Sequence, residues 1–241
     1  MENLMTKNIG EIVAENYRTA QVFKNHKIDF CCKGNRSIVE VAEKSKLDPN
    51  LLLQEIETVQ HQTNDDNIDF KTWPLDLLAD YIEKKHHRYV EAQIPILNQY
   101  LAKLCRVHGY RHPELYEITE HFNKSAGELA MHMKKEELIV FPAVRKMIQS
   151  KQYGSTLAEQ HFGTIQNPIQ MMMMEHENEG DRFRLIEELS NNYNPPADAC
   201  NTYRVTFSLL QEFEEDLHRH IHLENNILFP KAIALEKELS A

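Results

Sequence analysis

Histidine precedes glutamate by four residues at His132/Glu136, in HMKKEELIVFP, and again at His220/Glu224, in HIHLENNILFP. In both stretches a Phe-Pro pair follows, its phenylalanine five residues beyond the glutamate. Residues four apart on a helix lie one above the other, so each pair presents an imidazole and a carboxylate to one side. The apolar LIVF and NILF that follow turn that side toward a packed core. Burying His and Glu is costly unless they are paired with each other or bound to metal. One such pair alone reads as an ordinary hydrogen-bonded helix pair. Two copies read as matched ligands offered from two helices.

The repeat extends upstream. His87 precedes His132 by the same interval, to within one residue, as His176 precedes His220. Each half is then a helix carrying one histidine, followed by a helix carrying His-x-x-x-Glu. Together the halves supply four imidazoles (His87, His132, His176, His220) and two carboxylates (Glu136, Glu224). Imidazole suits zinc, copper, iron or nickel, while carboxylates bridge two ions and balance their charge. Helix-bundle cores hold metal pairs with mixed His/Glu ligands. A single zinc would use only three or four of the six, so the set favours di-iron or di-manganese. His86 adjoins His87 and could exchange roles with it, although the interval between halves favours His87. Glu137 is geometrically second to Glu136. His218 and His222 flank His220 by two residues each, which places them on the opposite helix face, expected in solvent. His26, His61, His108, His112, His121 and His161 are expected as surface or core residues.

These residues need four helices to carry them. Periodicity predicts helices at about 74–104, 114–150, 157–191 and 197–238, separated by VHGYRHP, KQYGS and NNYNPPAD. Four long amphipathic helices with short connections imply an antiparallel bundle, so the fold class is all-α. Residues 1–62 read as a small helical domain of three short helices. Ser37 and Glu40 form an expected capping box, Asp48-Pro49 opens a helix, and DFCCKGNR makes a turn centred on Gly34. Residues 63–73 are the expected linker and 74–241 the bundle.

With 41% hydrophobic and 27% charged residues, the chain can bury a core and stay in solution. The net charge of −10, without a dense Lys/Arg cluster, argues against nucleic acid as a partner. No apolar run is long enough to span a membrane. The N-terminus lacks the layout of a secretory signal, and a cytoplasmic location is expected. The four cysteines form no CxxC zinc pattern and no disulfide framework. Cys31 and Cys32 lie in a turn, where Lys33 and Arg36 would lower a thiol pKa; they are candidate redox thiols, or one of them packs in the small domain's core. Cys105 and Cys200 read as buried small hydrophobes. The four consecutive methionines 171–174 point in different directions on a helix, which suits core packing better than a soft-metal site.

Taken together, DFCCKGNR, HMKKEELIVFP, EHENEGDRF and HIHLENNILFPKA resemble the repair-of-iron-centres family over nearly the whole chain. These are hemerythrin-like di-iron proteins implicated in repairing iron–sulfur clusters after nitrosative or oxidative damage. The resemblance implies a hemerythrin-like four-helix bundle behind a small domain with a Cys-Cys motif. It implies two non-haem iron ions held by His87, His132, Glu136, His176, His220 and Glu224, with the glutamates bridging and two imidazoles on each iron. Glu128 and Glu175 match acidic positions near the family's metal centre, as residues behind the ligands or along an iron path. Damaged iron–sulfur proteins are the implied clients, nitric oxide or O2 a candidate ligand, and a homodimer the expected assembly. Oxygen-carrying hemerythrins use more histidine; the poorer set here suits iron release or reactivity. Two alternatives stay open: a di-iron enzyme reducing nitric oxide or peroxide, and a module that binds or senses a diatomic gas.

Overall fold

Along residues 115–133 the chain buries Leu115, Ile118, Phe122, Ala126, Leu129 and Met133. That three-and-four spacing draws one apolar stripe along a helix. Tyr203, Phe207, Leu210, Phe213, Leu217 and Ile221 draw another. In the computed structural model, which describes residues 4–60, 68–157 and 160–240, such stripes meet in an all-α architecture. Four short helices come first: α1 (Ile9–Glu15), α2 (Ala20–Asn25), α3 (Ile38–Ser45) and α4 (Pro49–Gln60). Then follow α5 (Leu75–Tyr81), α6 (Arg88–His108), α7 (Glu114–Lys135), α8 (Phe141–Tyr153), α9 (Gln166–Leu189), α10 (Asn201–Leu223) and α11 (Phe229–Leu239).

The later helices build four antiparallel rods. Three rods contain a π-helical turn: Ile82–His87 joins α5 to α6, Glu136–Val140 joins α7 to α8, and Glu224–Leu228 joins α10 to α11. The second and third of these turns precede Phe141-Pro142 and Phe229-Pro230. A proline ring clashes with the carbonyl four residues back in a regular helix and offers no N–H. Widening the turn moves that carbonyl aside, and the proline then sits in the first turn of the next helix, where no donor is required. No helix among the described residues is long and apolar enough to cross a membrane.

Three expectations are corrected by the fold. The third rod starts at Gln166, well after 157, because Gly163 takes a left-handed φ of 74° and Ile165 N–H is capped by Glu236 at 2.7 Å. The first 60 residues hold four helices instead of three. Asn16 adopts extended backbone and caps Arg18 N–H with its side chain, which breaks the first segment into α1 and α2. The capping box is present, with Ser37 N–H donating to Glu40 at 2.7 Å. The third correction concerns the methionine run: only Met172 is buried, while Met171, Met173 and Met174 are exposed. His61 and residues 63–67 of the expected linker lie outside the described residues; Phe70, in the same stretch, is buried against Trp73 and Tyr81.

The short helices do not form a separate core. Ile9, Ile12, Phe23 and Phe30 join Phe183, Phe213 and Leu217 of the bundle in one apolar cluster. A second cluster, around Leu78, Val140, Phe141, Ile169 and Phe229, fills the other end. On every rod the candidate ligands fall between the residues of these two clusters, so a polar layer crosses an otherwise apolar interior.

Candidate metal centre

The structure brings all six candidate residues into that layer, each no more than 3% exposed. Their donor atoms form two groups: His87, Glu136, His220 and Glu224, and His132, Glu136, His176 and Glu224. The ligating atoms within each group lie within 4.8 Å of one another. The glutamates belong to both groups because their two oxygens face opposite ways. Glu136 Oε2 is 3.3 Å from His87 Nε2, and its Oε1 is 3.1 Å from His132 Nε2. Glu224 Oε1 is 3.3 Å from His220 Nε2, and its Oε2 is 3.2 Å from His176 Nε2.

These contacts are close but are not hydrogen bonds. Both oxygens of Glu136 and of Glu224, with Nε2 of His87 and of His220, are buried without a hydrogen-bond partner among the described residues. Nε2 of His132 and Nε2 of His176 stand 2.9 Å apart. A buried cluster of acceptor atoms aimed at one another lacks cations, and metal ions between the imidazoles and carboxylates would satisfy it. The residues therefore fit a metal pair. Their charges point the same way. Burial opposes ionising Glu136, yet the His132 charge and the close approach of the His132 and His87 imidazoles hold its carboxyl well below the usual carboxylate range. Burial would depress His132, but Glu136 and Glu175 overcome that and lift it to about 10.

Three of the four outward nitrogens are anchored, while Nδ1 of His220 is buried without a hydrogen-bond partner among the described residues. His87 Nδ1 meets Glu137 Oε1 at 3.0 Å; Arg88 donates to the same oxygen, and Lys134 holds Oε2. His132 Nδ1 meets Glu175 at 2.8 Å, and Lys135 pairs with the same group. The bonds from His132 and Lys135 pull the Glu175 carboxyl down to about 2. His176 Nδ1 meets Asn225 at 2.9 Å. Such partners fix the imidazole tautomer and raise its basicity. The two phenylalanines of the repeat complete the shell: Phe141 stacks on His87, and Phe229 stacks on His176. Beside the centre, a cavity of about 320 Å³ is lined by Glu128, His132, Lys135, Glu175, His176 and Glu179. Glu128 binds Arg182 at 2.7 Å, and Arg182 also pairs with Glu179.

Comparison with known proteins now bears on this geometry. Residues 78–232 match the hemerythrin HHE cation binding domain. Residues 5–60 match the ScdA N-terminal domain, described as a domain of unknown function. The chain belongs to the hemerythrin-like iron–sulfur cluster repair family. It is 31% identical over 223 residues to "Iron-sulfur cluster repair protein ScdA" of Staphylococcus haemolyticus, covering 92% of this chain and 96% of that protein. It is also 31% identical over 227 residues to "Iron-sulfur cluster repair protein YtfE" of Yersinia pestis, covering 94% and 96%. The Yersinia pseudotuberculosis protein of that name matches to the same extent. All six residues of the buried His/Glu layer lie within the span that matches the cation binding domain.

Several expectations about neighbouring residues change. His86 points away from both groups, donating from Nδ1 to Asp216 at 3.0 Å, and its ring stacks on His220. Glu137 is a partner of His87 and no rival to Glu136. His222 is buried, not in solvent: the N-terminal helices cover this face of α10, and its ring lies against Tyr17 and Phe30. Burial pushes its pKa down to about 3. His218 is half-buried on the same face, beside Phe30, and burial pushes it down to about 4. Cys31 is buried, and its pKa is raised well above the thiol range by the hydrogen bond to Cys32 and by burial, the reverse of activation by Lys33 and Arg36. Those cations are directed elsewhere: Lys33 pairs with Glu177, and Arg36 donates to the Lys33 and Asp29 carbonyls. Cys32 is partly exposed, and its thiol donates to the carbonyl of His176 at 3.3 Å. Cys105 is partly buried, while Cys200 is exposed at the start of α10, where its thiol meets His108. Asn225 went unnoticed in the sequence; its one signal was its place next to Glu224 in ENN.

Proposed function

We propose that the six residues hold two iron ions and that the protein repairs iron–sulfur clusters damaged by nitrosative or oxidative stress, supplying iron from this centre. The carrying observation is the division of each glutamate's oxygens between two four-residue groups. The relatives are iron–sulfur cluster repair proteins by name, which supports the biological assignment. Two neighbouring ferrous ions would supply exchangeable iron and reducing electrons. His87 and His220 would hold one, His132 and His176 the other, with Glu136 and Glu224 spanning the pair.

The surroundings favour release over permanent storage. Each ion would receive two nitrogens and two carboxylate oxygens, which leaves positions open on a metal that accepts six ligands. The cavity of about 320 Å³ reaches the His132/His176 group. Its wall carries the carboxylates of Glu128, Glu175 and Glu179, paired with Arg182 and Lys135, between that group and the exterior. Iron would therefore leave from the His132/His176 side.

The test is transfer. Anaerobically loaded protein, assayed at two irons per chain, is mixed with an enzyme whose [4Fe–4S] cluster has been degraded by nitric oxide. Recovery of that enzyme's activity with stoichiometric loss of iron from the donor is expected, and none with Glu136→Leu/Glu224→Leu protein. Equal recovery from the variant would refute the proposal. So would catalytic consumption of nitric oxide over many turnovers with no recovery of the client, which is the result a nitric-oxide-reducing enzyme would produce.

A further inference from the structure

An imidazole that binds a metal through Nε2 must carry its proton on Nδ1. At His87 and His132 that proton is secured by a carboxylate, which when ionised can only accept. His176 differs. Its Nδ1 faces the side-chain amide of Asn225, and an amide either donates or accepts depending on which way it is turned. Turned one way it demands N–H on Nδ1. Turned the other way it would force the proton onto Nε2 and leave no lone pair for a metal.

The far end of the amide decides. Asn225 Nδ2 lies 3.2 Å from the backbone carbonyl of Cys31, a group that can only accept. The NH2 must therefore face Cys31, Oδ1 must face His176, and Nδ1 of His176 must donate. Nε2 keeps its lone pair, directed at the space beside Glu224 and His132. The carbonyl itself is held by a second donor, Asn226 Nδ2, at 3.2 Å. Asn226 in turn is wedged against Gly10 and Gly34, where an added Cβ would fall within 2.2 Å and 2.6 Å of its Oδ1. From the other side, Cys32 donates to the His176 carbonyl.

We infer that Asn225 is a positioning residue that transmits the direction of the Cys31 carbonyl into the tautomer of His176, so that the docked Cys-Cys turn keeps this imidazole ready for metal. The inference rests on the reading of the six residues as metal ligands. It gives the small N-terminal domain a part in the centre through its backbone, independent of any thiol chemistry.

The first measurement needs no metal. Long-range ¹H–¹⁵N NMR of the histidine rings in the metal-free, full-length chain should find His176 as the Nδ1–H tautomer, and Asn225→Leu should lose that preference. The second follows release of bound Zn(II) to a chelator, which should be about 10–100-fold faster for Asn225→Leu, with helical content unchanged by circular dichroism. Asn225→Asp separates the two ends of the amide. It keeps the acceptor for His176, so the tautomer and slow release persist, while the donor to Cys31 is lost and Cys32 alkylates faster. An Asn225→Leu protein with the native tautomer and native release rate would overturn the inference, as would an Asn225→Asp protein whose His176 loses Nδ1–H. A wild-type chain that binds no metal yet shows the expected tautomers would refute the ligand reading and leave the tautomer control standing.

Discussion

Replacing Glu136 alone by leucine distinguishes a carboxylate shared by two ions from one that serves a single ion. One Glu136 oxygen is 3.3 Å from His87 Nε2 and the other 3.1 Å from His132 Nε2, so its loss removes a donor from both groups. His87 belongs to one group only. Glu136→Leu should therefore retain no tightly bound metal, while His87→Ala should retain one ion per chain. Each ion that binds only the folded state adds about 2.7 kcal/mol at a hundredfold excess over its Kd. In a chain of this size each kcal/mol moves Tm by about 2–4 °C. Saturating wild-type protein with ferrous iron should then raise Tm by roughly 10–20 °C, His87→Ala by about half of that, and Glu136→Leu/Glu224→Leu not at all.

The metal-free double variant gives the complementary check. Glu136 and Glu224 are 0% exposed, and their loss takes the carboxylate partners from His132 and His220; removing one side of a buried ion pair costs about 3–5 kcal/mol. Its metal-free Tm should therefore fall below that of the metal-free wild type. The assay pairs anaerobic thermal melts with metal content by mass spectrometry after gel filtration. If Glu136→Leu keeps one ion while His87→Ala loses both, the shared-carboxylate geometry is wrong. Two ions retained by the double variant would refute the site altogether.

Glu214, 1% exposed, is raised to about 8 by burial and by Glu187. The folded chain thus keeps a proton that the unfolded chain has already lost. The resulting stability is complete below pH 4.5 and declines by about 1.4 kcal/mol per unit as pH rises toward 8. Glu214→Gln should flatten that decline in denaturant titrations between pH 5 and 8, and an unchanged slope would rule out the burial argument. Gly10→Ala places a Cβ 2.2 Å from Asn226 Oδ1; a cost of about 1–3 kcal/mol and faster alkylation of Cys32 are expected, against an unchanged melt if α1 does not dock there. Glu175→Gln should weaken metal binding about 10–100-fold by withdrawing the carboxylate behind His132; chelator competition reads this directly, and native affinity would show that Glu175 leaves the imidazole unaffected.

The rods and the convergence of the six His and Glu residues were legible in the sequence because both are local. A three-and-four stripe such as Leu115-Ile118-Phe122 specifies a helix face, and His-x-x-x-Glu specifies two side chains on it. What was not legible depends on another part of the chain arriving. His222 does stay out of the buried His/Glu layer, as its spacing says, but Tyr17 and Phe30 cover that face and make it interior. Cys31 does sit in a turn, but the turn is pressed against α9 and α10, and burial raises its thiol pKa. Asn225 has no periodic signature at all. Its importance comes from lying between a carbonyl near residue 30 and a histidine on another rod.

The π-helical turns were readable in principle. Residues five apart on a regular helix point about 140° away from each other, so both cannot face the same core. Yet Ile82 and His87, Glu136 and Phe141, and Glu224 and Phe229 are six buried residues at that spacing. A widened turn brings such a pair onto one side, and one occurs at each place. The chemistry explains the arrangement. Glu136 must reach the buried His/Glu layer while Phe141 stacks on His87, and Glu224 must do so while Phe229 stacks on His176. A regular helix could aim the carboxylate or the ring, but not both. The Phe-Pro after each glutamate is therefore part of the site. The proline disfavours the regular ladder, the widened turn reorients the phenylalanine, and the phenylalanine packs against a histidine that its own helix does not carry.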